Sequence, residues 1–220
     1  MLFKQKKALV ISDFDGTICT VDVGNRVLSH FTKKSWDDLD REYVKGSIGS
    51  REAYGKIAPL MAVNPARLNA YVLKLAKIDP FFVKFYRLAK KRGVDVKIVS
   101  DGLDFYIRAI MEKHRLGEIE FFSNAVVFGE KDSLTFDFPQ ANPLCGRCGT
   151  CKNKILNDHR LLYEKIIYIG DGHSDICPSR CADMVFAKEV LLRKCEEEGT
   201  TPYQPFQNFG EIAKYLKDHF

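Results

Sequence analysis

The chain has 220 residues, which is long enough for a domain with a buried core. Its hydrophobic content of 45% and charged content of 29% are typical of a globular protein and exclude a disordered or fibrous chain. The net charge of +5 is too small to indicate a nucleic-acid partner. No apolar run is long enough for a membrane span or a signal peptide, so we expect a cytoplasmic protein without a membrane partner.

The first predicted strand ends in a pair of carboxylates. The apolar run at residues 8–11 is followed by Ser12, Asp13, Phe14, Asp15, Gly16 and Thr17. Burying two negative charges this close together is costly unless a cation or a reaction uses them. This segment therefore predicts a reactive or metal-binding site.

Residues 20–78 predict several helices with little strand character. Asn64 and Pro65 form an N-cap followed by proline at the first helical position. Downstream, apolar residues recur at the spacing of one helix face, and they are Leu68, Tyr71, Val72 and Leu75. Because this block is inserted directly after the first strand, we expect it to cover the site as a helical cap.

From residue 79 onwards, predicted strands and helices alternate. Strands are expected up to residue 99, at residues 166–169 and at residues 183–187, and residues 121–128 and 133–138 form a predicted hairpin. This alternation predicts an α/β fold, a Rossmann-like core of residues 1–19 and 79–220 with a parallel sheet and helices on both faces. In such folds, ligands bind at the carboxyl ends of the strands.

Two further strands also end in polar, glycine-containing turns. One delivers Ser100, Asp101 and Gly102, and the other delivers the segment from Gly170 to Asp175. Other acidic or glycine-rich motifs do not fit. An EF-hand loop that starts at Asp13 would need Gly and Glu where Ile18 and Gly24 stand. Walker A and dinucleotide-binding patterns are absent.

Together these segments resemble the haloacid dehalogenase (HAD) superfamily of phosphatases with an aspartate nucleophile, over essentially the whole chain. Residues 13–17 match its first motif and Ser100 its second. Lys152, or alternatively Lys154, matches the third, and residues 170–175 match the fourth. The resemblance implies a HAD core with a cap of the C1 type at residues 20–78.

The resemblance also implies roles for individual residues. Asp13 would be the nucleophile and Asp15 the acid and base, with Lys152 as a nearby cation. Mg²⁺ would be held by Asp13, Asp15 and Asp171, with Asp175 positioning these ligands. The residues implied in substrate binding are Thr17, Asp22, Arg51, Ser100, Asp101 and Gly102.

Within the superfamily, the chain most resembles the 2-hydroxy-3-keto-5-methylthiopentenyl-1-phosphate phosphatases of methionine salvage. The supporting segments are residues 102–106, 148–152, 185–192 and 202–206. Phosphoethanolamine/phosphocholine phosphatases are an alternative, because they share a cysteine-rich segment and a stretch like residues 175–178. Phosphoserine phosphatases have Glu where this chain has Asp22. Each alternative implies a small phosphorylated metabolite as substrate.

Seven cysteines in a cytosolic chain favour free thiols or a metal over disulfides. Five of them lie in two segments, at Cys145, Cys148, Cys151, Cys177 and Cys181. They could hold Zn²⁺ or an iron–sulfur cluster. We favour a group of free thiols, because zinc sites usually pair two C-x₂-C units.

Two functions of other classes stay open on the sequence alone. The intact carboxylate set argues against a non-catalytic HAD-like protein, and the modest charge argues against a zinc-dependent nucleic-acid binder. Three aromatic residues of the helical block could form either a lid over the site or a small core of their own. They are Trp36, Tyr43 and Tyr54.

Overall fold

The computed structural model describes residues 5–220, so residues 1–4 of the predicted core lie outside the described residues. The strands are β1 (Lys6–Ser12), β2 (Val94–Leu103), β3 (Phe121–Phe128), β4 (Leu134–Asp137), β5 (Tyr163–Gly170), β6 (Met184–Ala187) and β7 (Tyr203–Pro205). The helices are α1 (Val23–Phe31), α2 (Asp37–Val44), α3 (Ser50–Ile57), α4 (Pro65–Leu75), α5 (Phe82–Lys91), α6 (Asp104–Lys113), α7 (Lys152–His159), α8 (Ile176–Ser179), α9 (Glu189–Glu198) and α10 (Phe209–His219). Short 3₁₀ turns occupy Ala58–Leu60, Arg160–Leu162 and His173–Asp175.

The described strands form one seven-stranded sheet in the order β4-β3-β2-β1-β5-β6-β7. Every neighbouring pair is parallel except β3 and β4, which form the expected antiparallel hairpin. In the register of the sheet, Ser12 at the end of β1 lies between Ile98 of β2 and Ile169 of β5. The polar turns after β1 and β5 and the polar end of β2 therefore meet at one edge, and the predicted α/β fold is confirmed.

Strand β1 is buried on both faces of the sheet, which explains its unbroken apolar sequence. Ala8 and Val10 belong to the larger of two apolar clusters, which also includes residues of α5, α6 and α10. Leu9 and Ile11 belong to the second cluster, on the opposite face with α7 and α9. Alternate residues of one strand therefore anchor both helical layers.

The segment between β1 and α5 is helical, and its two ends lie together. Cys19 and Ile78 form an isolated antiparallel bridge, and the amide of Asp79 donates to the carbonyl of Ile18 over 2.8 Å. Asn64 caps α4 as expected, since its side chain accepts from the amide of Arg67. Helix α4 packs against α6 of the sheet layers. The division of the chain into a core and a cap remains a prediction.

The structure differs from the sequence expectation at two strands. Strand β2 continues through Ser100 to Leu103, and its pairing with β3 is irregular between Val99 and Leu103. The edge strand β7 was not predicted, because it is three residues long and ends in Pro205; proline is tolerated only at such edges. Within the described residues, no helix has the length and apolar character needed to cross a membrane.

Candidate active site

A cavity of about 300 Å³ opens at the carboxyl ends of β1, β2 and β5. Its floor includes Asp13, Ser100 and Asp171, one from each of these strand ends. Side chains of α1, α2 and α3 line its other side, together with Trp36 just before α2. The three strand ends singled out in the sequence thus converge on one cavity, which residues of the helical segment line on its other side.

Asp13 is held by one of its two carboxylate oxygens. Its Oδ1 accepts from the amide of Phe14 at 2.7 Å and lies 2.8 Å from the ammonium of Lys152. Within residues 5–220, no hydrogen-bond donor reaches Oδ2. Burial, reinforced by the charge of Asp175, raises the pKa of Asp13 well above its ordinary value. The carboxylate is therefore fixed in place with one oxygen left for chemistry.

Lys152 is the only buried lysine among the described residues. Its ammonium lies 2.8 Å from Asp13 and 2.6 Å from Asp175. Burial acts to lower the pKa of Lys152, but the two carboxylates outweigh it and raise the pKa above its ordinary value, so the side chain stays charged. Lys154 is exposed and pairs with Asp158 along α7. The geometry thus favours Lys152 over Lys154.

Asp175 is fully buried, and the protein itself occupies both of its oxygens. Oδ1 accepts from Lys152 and from the hydroxyl of Tyr168, each at 2.6 Å. Oδ2 accepts from the amides of Asp171 and Gly172 at 3.0 and 2.9 Å. Burial acts to raise the pKa of Asp175, but Lys152 and these hydrogen bonds hold it below its ordinary value. This carboxylate organises the turn after β5.

The residues present fit a magnesium ion. Oxygen atoms of Asp13, Asp171 and Asp175 lie within 4.8 Å of one another, and carboxylate oxygens are preferred ligands of Mg²⁺. Burial and the charge of Asp175 raise the pKa of Asp171 to about 6, as expected for acids grouped without a cation. Gly16 adopts a φ of +72°, which favours glycine, and a Cβ at this position would lie 2.3 Å from Asp171 and displace its carboxylate. Since Asp175 is fully hydrogen-bonded, Asp13 and Asp171 are the side chains left to bind an ion.

Asp15 points into the cavity between two hydrogen-bond donors. Its Oδ1 accepts from the amide of Val23 at 2.8 Å, and its Oδ2 accepts from the hydroxyl of Tyr106. Burial, together with the negative charge of Asp22, raises the pKa of Asp15 to about 7. A carboxyl group with a pKa near neutrality can both give and take a proton.

The polar end of β2 contributes three residues to the cavity. Ser100 accepts from the amide of Gly102 at 3.0 Å, which leaves its own hydroxyl proton free to donate. Asp101 accepts from the amide of Thr150 and from Asn124, at 3.0 and 3.1 Å. Much of the hydrogen-bonding capacity of Asp101 is therefore used within the protein, whereas the hydroxyl of Ser100 can still donate to a ligand.

The other predicted substrate-binding residues differ in their placement. Asp22 lines the cavity and also caps α1 by accepting from the amide of Asn25 at 2.7 Å. Thr17 is buried behind the cavity, where its hydroxyl donates to Asp171. Arg51 is exposed and lies over the ring of Phe138, outside the cavity lining. A direct substrate contact is therefore available to Asp22 but not to Thr17 or Arg51 in this arrangement.

Comparison with known proteins identifies the family. Residues 8–191 match the family model described as Putative Phosphatase, which covers most of the chain. The chain belongs to this family of HAD-like phosphatases. A 2-hydroxy-3-keto-5-methylthiopentenyl-1-phosphate phosphatase of Bacillus velezensis is 30% identical over 96% of this chain and 90% of that protein.

Two further comparisons concern length and fold. The "Bifunctional enzyme MtnB/MtnX" of Bacillus licheniformis is 28% identical over 97% of this chain, but the chain spans only 50% of that protein. The crystal structure of the HAD family hydrolase t0658 from Salmonella enterica superposes with a TM-score of 0.75 at 18% identity. It covers 98% of this chain and 73% of that chain, and it shows the shared fold.

The cysteines of this HAD-like phosphatase do not form a ready metal site. Cys145 and Cys177 are exposed, Cys151 is buried, and all the cysteines in the described part of the chain are free. Among the described residues, the group of three or more ligand atoms within 4.8 Å is the aspartate cluster, and no set of thiols meets that distance. Neither Zn²⁺ nor an iron–sulfur cluster is supported. Burial raises the pKa of Cys148 to about 12, which favours its neutral thiol.

A loop that no local sequence pattern marks joins the phosphatase site to the start of α3. This connecting loop, residues 138–151, runs from β4 to α7. The guanidinium of Arg147 donates to the carbonyl of Gly46 at 2.6 Å, and the amide of Gly149 donates to the hydroxyl of Ser50 at 3.0 Å. A Cβ at Gly49 would lie 2.0 Å from the Arg147 carbonyl, so glycine is required at this contact.

Two tyrosines at the site also stand outside the residues selected from the sequence. They are Tyr106, whose hydroxyl donates to Asp15, and Tyr168, whose hydroxyl donates to Asp175. Tyr168 lies within the apolar run of β5, so its sequence indicates a buried strand and not a site residue. No local motif marks either hydroxyl, because each finds its partner only through the tertiary fold.

Proposed function

We propose that this phosphatase hydrolyses the phosphate monoester of a small metabolite in two steps, through an aspartyl-phosphate on Asp13. The observation that carries the proposal is the asymmetry of the Asp13 carboxylate. Oδ1 is tied to Phe14 and Lys152, whereas Oδ2 has no donor within residues 5–220. Oδ2 is therefore the oxygen available to attack phosphorus, and covalent attack splits one difficult hydrolysis into two easier steps.

The attack brings negative charges together, and nearby groups must offset this repulsion. At about 4 Å in a partly screened site, each pair of unit charges repels by about 4 kcal/mol. Lys152 contributes a fixed positive charge next to Asp13. Ser100 directs its free hydroxyl proton toward the phosphate oxygens, since its oxygen already accepts from Gly102. These groups stabilise charge that develops as the phosphoryl group moves.

Magnesium completes the charge balance in this proposal. Oδ1 of Asp13, Asp171 and the main-chain carbonyl of Asp15 would hold the ion, which leaves Oδ2 of Asp13 for the attack, and Asp175 fixes the turn that carries Asp171. When bound, Mg²⁺ supplies positive charge to the phosphate oxygens. The raised pKa of Asp171, about 6, is consistent with a group that gains from a cation.

Asp15 acts as the acid and then as the base. In the first step it protonates the leaving alcohol, and in the second it takes a proton from the water that attacks the aspartyl-phosphate. Its pKa of about 7 suits both roles near neutral pH. Its place in the cavity, with Asp13 and Ser100, supports this assignment.

We further propose that residues 20–78 form a cap which selects the substrate over a core of residues 1–19 and 79–220. The paired ends of this segment at Cys19 and Ile78 support a single hinge-like attachment. Leu28, Trp36 and Tyr54 give the covering side of the cavity an apolar, aromatic surface. Such a surface suits the methylthio end of 2-hydroxy-3-keto-5-methylthiopentenyl-1-phosphate, the compound in the name of the Bacillus velezensis relative.

One observation favours a second substrate class, phosphate esters that carry an ammonium group, such as phosphoethanolamine or phosphocholine. Asp22 and Asp40 lie on the covering side of the cavity, and among the described residues no Lys or Arg lines it. A cationic group would find carboxylates there and, next to the aromatic rings, favourable cation–π contacts.

A substrate screen with Mg²⁺ tests the proposal and separates the two classes. It should compare the methylthiopentenyl phosphate, phosphoethanolamine, phosphocholine and phosphoserine by kcat/KM. We expect the methylthiopentenyl phosphate to rank first, with activity abolished by EDTA and in Asp13→Asn. Preference for an ammonium ester would move the assignment to the second class. Absence of hydrolysis of every ester would refute the proposed function.

A further inference from the structure

Tyr106 lines the site, and neither step of the proposed reaction uses it. It lies in the first turn of α6, is fully buried, and packs its ring against Phe14. Its hydroxyl contacts Oδ2 of Asp15, and both residues line the cavity. We propose that Tyr106 is the positioning residue that orients Asp15 for proton transfer to the leaving oxygen. This inference rests on the proposed function.

The backbone around this pair is shaped to admit the hydroxyl. A Cβ at Gly102 would lie 1.8 Å from the Tyr106 oxygen and 2.6 Å from Asp15, so a side chain there would displace the hydroxyl from the carboxylate. A Cβ at Gly24 would lie 3.2 Å from the same hydroxyl. Gly102 on β2 and Gly24 on α1 thus leave room where the phenol of Tyr106 meets the carboxylate of Asp15.

The two donors on Asp15 differ in what they can do. The amide of Val23 can only donate, so Oδ1 must always accept. The proton of the acid form therefore sits on Oδ2, next to Tyr106. The hydroxyl of Tyr106 donates to Oδ2, and it can do so both while the Oδ2 proton points to the leaving oxygen and after Oδ2 is ionised. Tyr106 can therefore partner Asp15 both before and after the proton leaves.

The proton and electron balance of the first step follows from this arrangement. Asp13 Oδ2 forms a bond to phosphorus while the bond from phosphorus to the ester oxygen breaks. The electron pair of that bond stays on the ester oxygen, which receives the proton from Asp15 Oδ2. Tyr106 keeps its own proton and continues to donate to Oδ2 of the new carboxylate. This hydrogen bond becomes charge-assisted, and therefore stronger, as the leaving group departs.

The test is the dependence of kcat/KM on the leaving group in Tyr106→Phe, which keeps the ring packing and removes only the hydroxyl. The ratio kcat/KM reports the step in which the alcohol leaves, so slow hydrolysis of the aspartyl-phosphate does not obscure it. For a simple alkyl phosphate, which needs the acid, we expect a fall of about 10- to 100-fold, the effect of one hydrogen bond to a charged group. For 4-nitrophenyl phosphate, whose leaving group needs little protonation, we expect a change below about threefold.

Tyr54→Phe is the matched control. Tyr54 lines the same cavity, but its hydroxyl donates to the backbone carbonyl of Asp101 at 3.0 Å and not to Asp15. Its loss should change kcat/KM for both substrates by the same factor. Gly24→Ala retains the phenol and crowds it, so it should show the same leaving-group selectivity as Tyr106→Phe, to a smaller degree. It also serves if Tyr106→Phe does not fold.

The outcomes are separable. A selective loss on the alkyl ester in Tyr106→Phe or in Gly24→Ala, absent in Tyr54→Phe, supports the inference. An equal loss on both esters, or no loss, in folded Tyr106→Phe overturns the inference and leaves the phosphatase mechanism standing. If Tyr106→Phe does not fold, the same result in Gly24→Ala overturns the inference. A wild-type protein without activity on either ester would instead refute the proposed function.

Discussion

Replacing Lys152 with Met should destabilise the protein far more than the same replacement at Lys154. The ammonium of Lys152 is buried, 2.8 Å from Asp13 and 2.6 Å from Asp175. Methionine keeps much of the length of the lysine side chain but removes its charge, so two buried carboxylates lose their shared cation. Lys154 pairs with Asp158 on the exposed side of α7 and makes a matched control.

The magnitude follows from the distances and the burial. At an effective dielectric constant of about 20, two unit charges about 3 Å apart attract by about 6 kcal/mol. The cost of burying ions offsets much of this attraction, and removal of one partner from a buried pair typically costs about 3–5 kcal/mol. An exposed pair one helical turn apart contributes about 0.3–0.5 kcal/mol. The two variants should therefore differ about tenfold in their loss of unfolding free energy.

The loss should also depend on pH. In the wild type, Lys152 helps hold the pKa of Asp175 below its ordinary value, so the pair stabilises the fold above about pH 3.9, the pKa of an unfolded Asp, and less as the pH falls. In Lys152→Met, burial without the cation should raise the pKa of Asp175 above its ordinary value. The contribution of Asp175 to stability is then present at low pH and is lost as the pH rises. The difference between variant and wild type should grow from pH 5 to pH 8.

Urea unfolding in the presence of EDTA, at both pH values, measures this difference. We expect Lys152→Met to lose several kcal/mol at pH 8 and less at pH 5, with Lys154→Met close to the wild type at both. Equal stability of the two variants at pH 8 would refute the assignment of Lys152 as the cation between the buried carboxylates.

Three other predictions concern the metal, the connecting loop and the thiols. Because the pKa of Asp171 is raised to about 6, its contribution to the stability of the metal-free fold is lost as the pH rises through 6. Mg²⁺ should therefore raise the melting temperature more at pH 8 than at pH 5. A shift in melting temperature that does not depend on pH would contradict this. Arg147→Ala removes hydrogen bonds to the carbonyls of Gly46 and Ile48, so in steady-state kinetics it should raise KM by about 2- to 10-fold with a smaller effect on kcat. An effect on kcat alone would contradict a role of Arg147 in substrate binding. Mass spectrometry after brief alkylation at pH 8 should find Cys145 modified before Cys148, whose pKa is raised to about 12; protection of both until a chelator is added would indicate a bound metal.

The parts of the fold that local sequence determines were predictable. Strand β1 is an unbroken apolar run because both of its faces are buried, and its carboxyl end carries Asp13 and Asp15. The N-cap of α4 and the hairpin of β3 and β4 follow from short-range turn chemistry. These features depend on residues a few positions apart, and their patterns are specific.

The remaining features depend on which segments approach each other. The choice between Lys152 and Lys154 required the start of α7, because residues two positions apart on a helix point to opposite sides. The sequence predicts Gly102 in a turn, but Gly102 lies in β2 and makes room for the hydroxyl of Tyr106. The placement of Arg51 outside the cavity likewise depends on the packing of α3 against the loop that carries Phe138.

The central claim is that Asp13 carries the phosphoryl group, and a rapid acid quench during turnover tests it most directly. Peptide mass spectrometry should find one phosphoryl group on the peptide that contains Asp13. With 4-nitrophenyl phosphate, whose leaving group needs little protonation, the modified fraction should increase in Asp15→Asn, which lacks the base for the second step, and it should vanish in Asp13→Asn together with activity. Turnover by Asp13→Asn, or wild-type turnover with the phosphoryl group on another residue, would contradict the account.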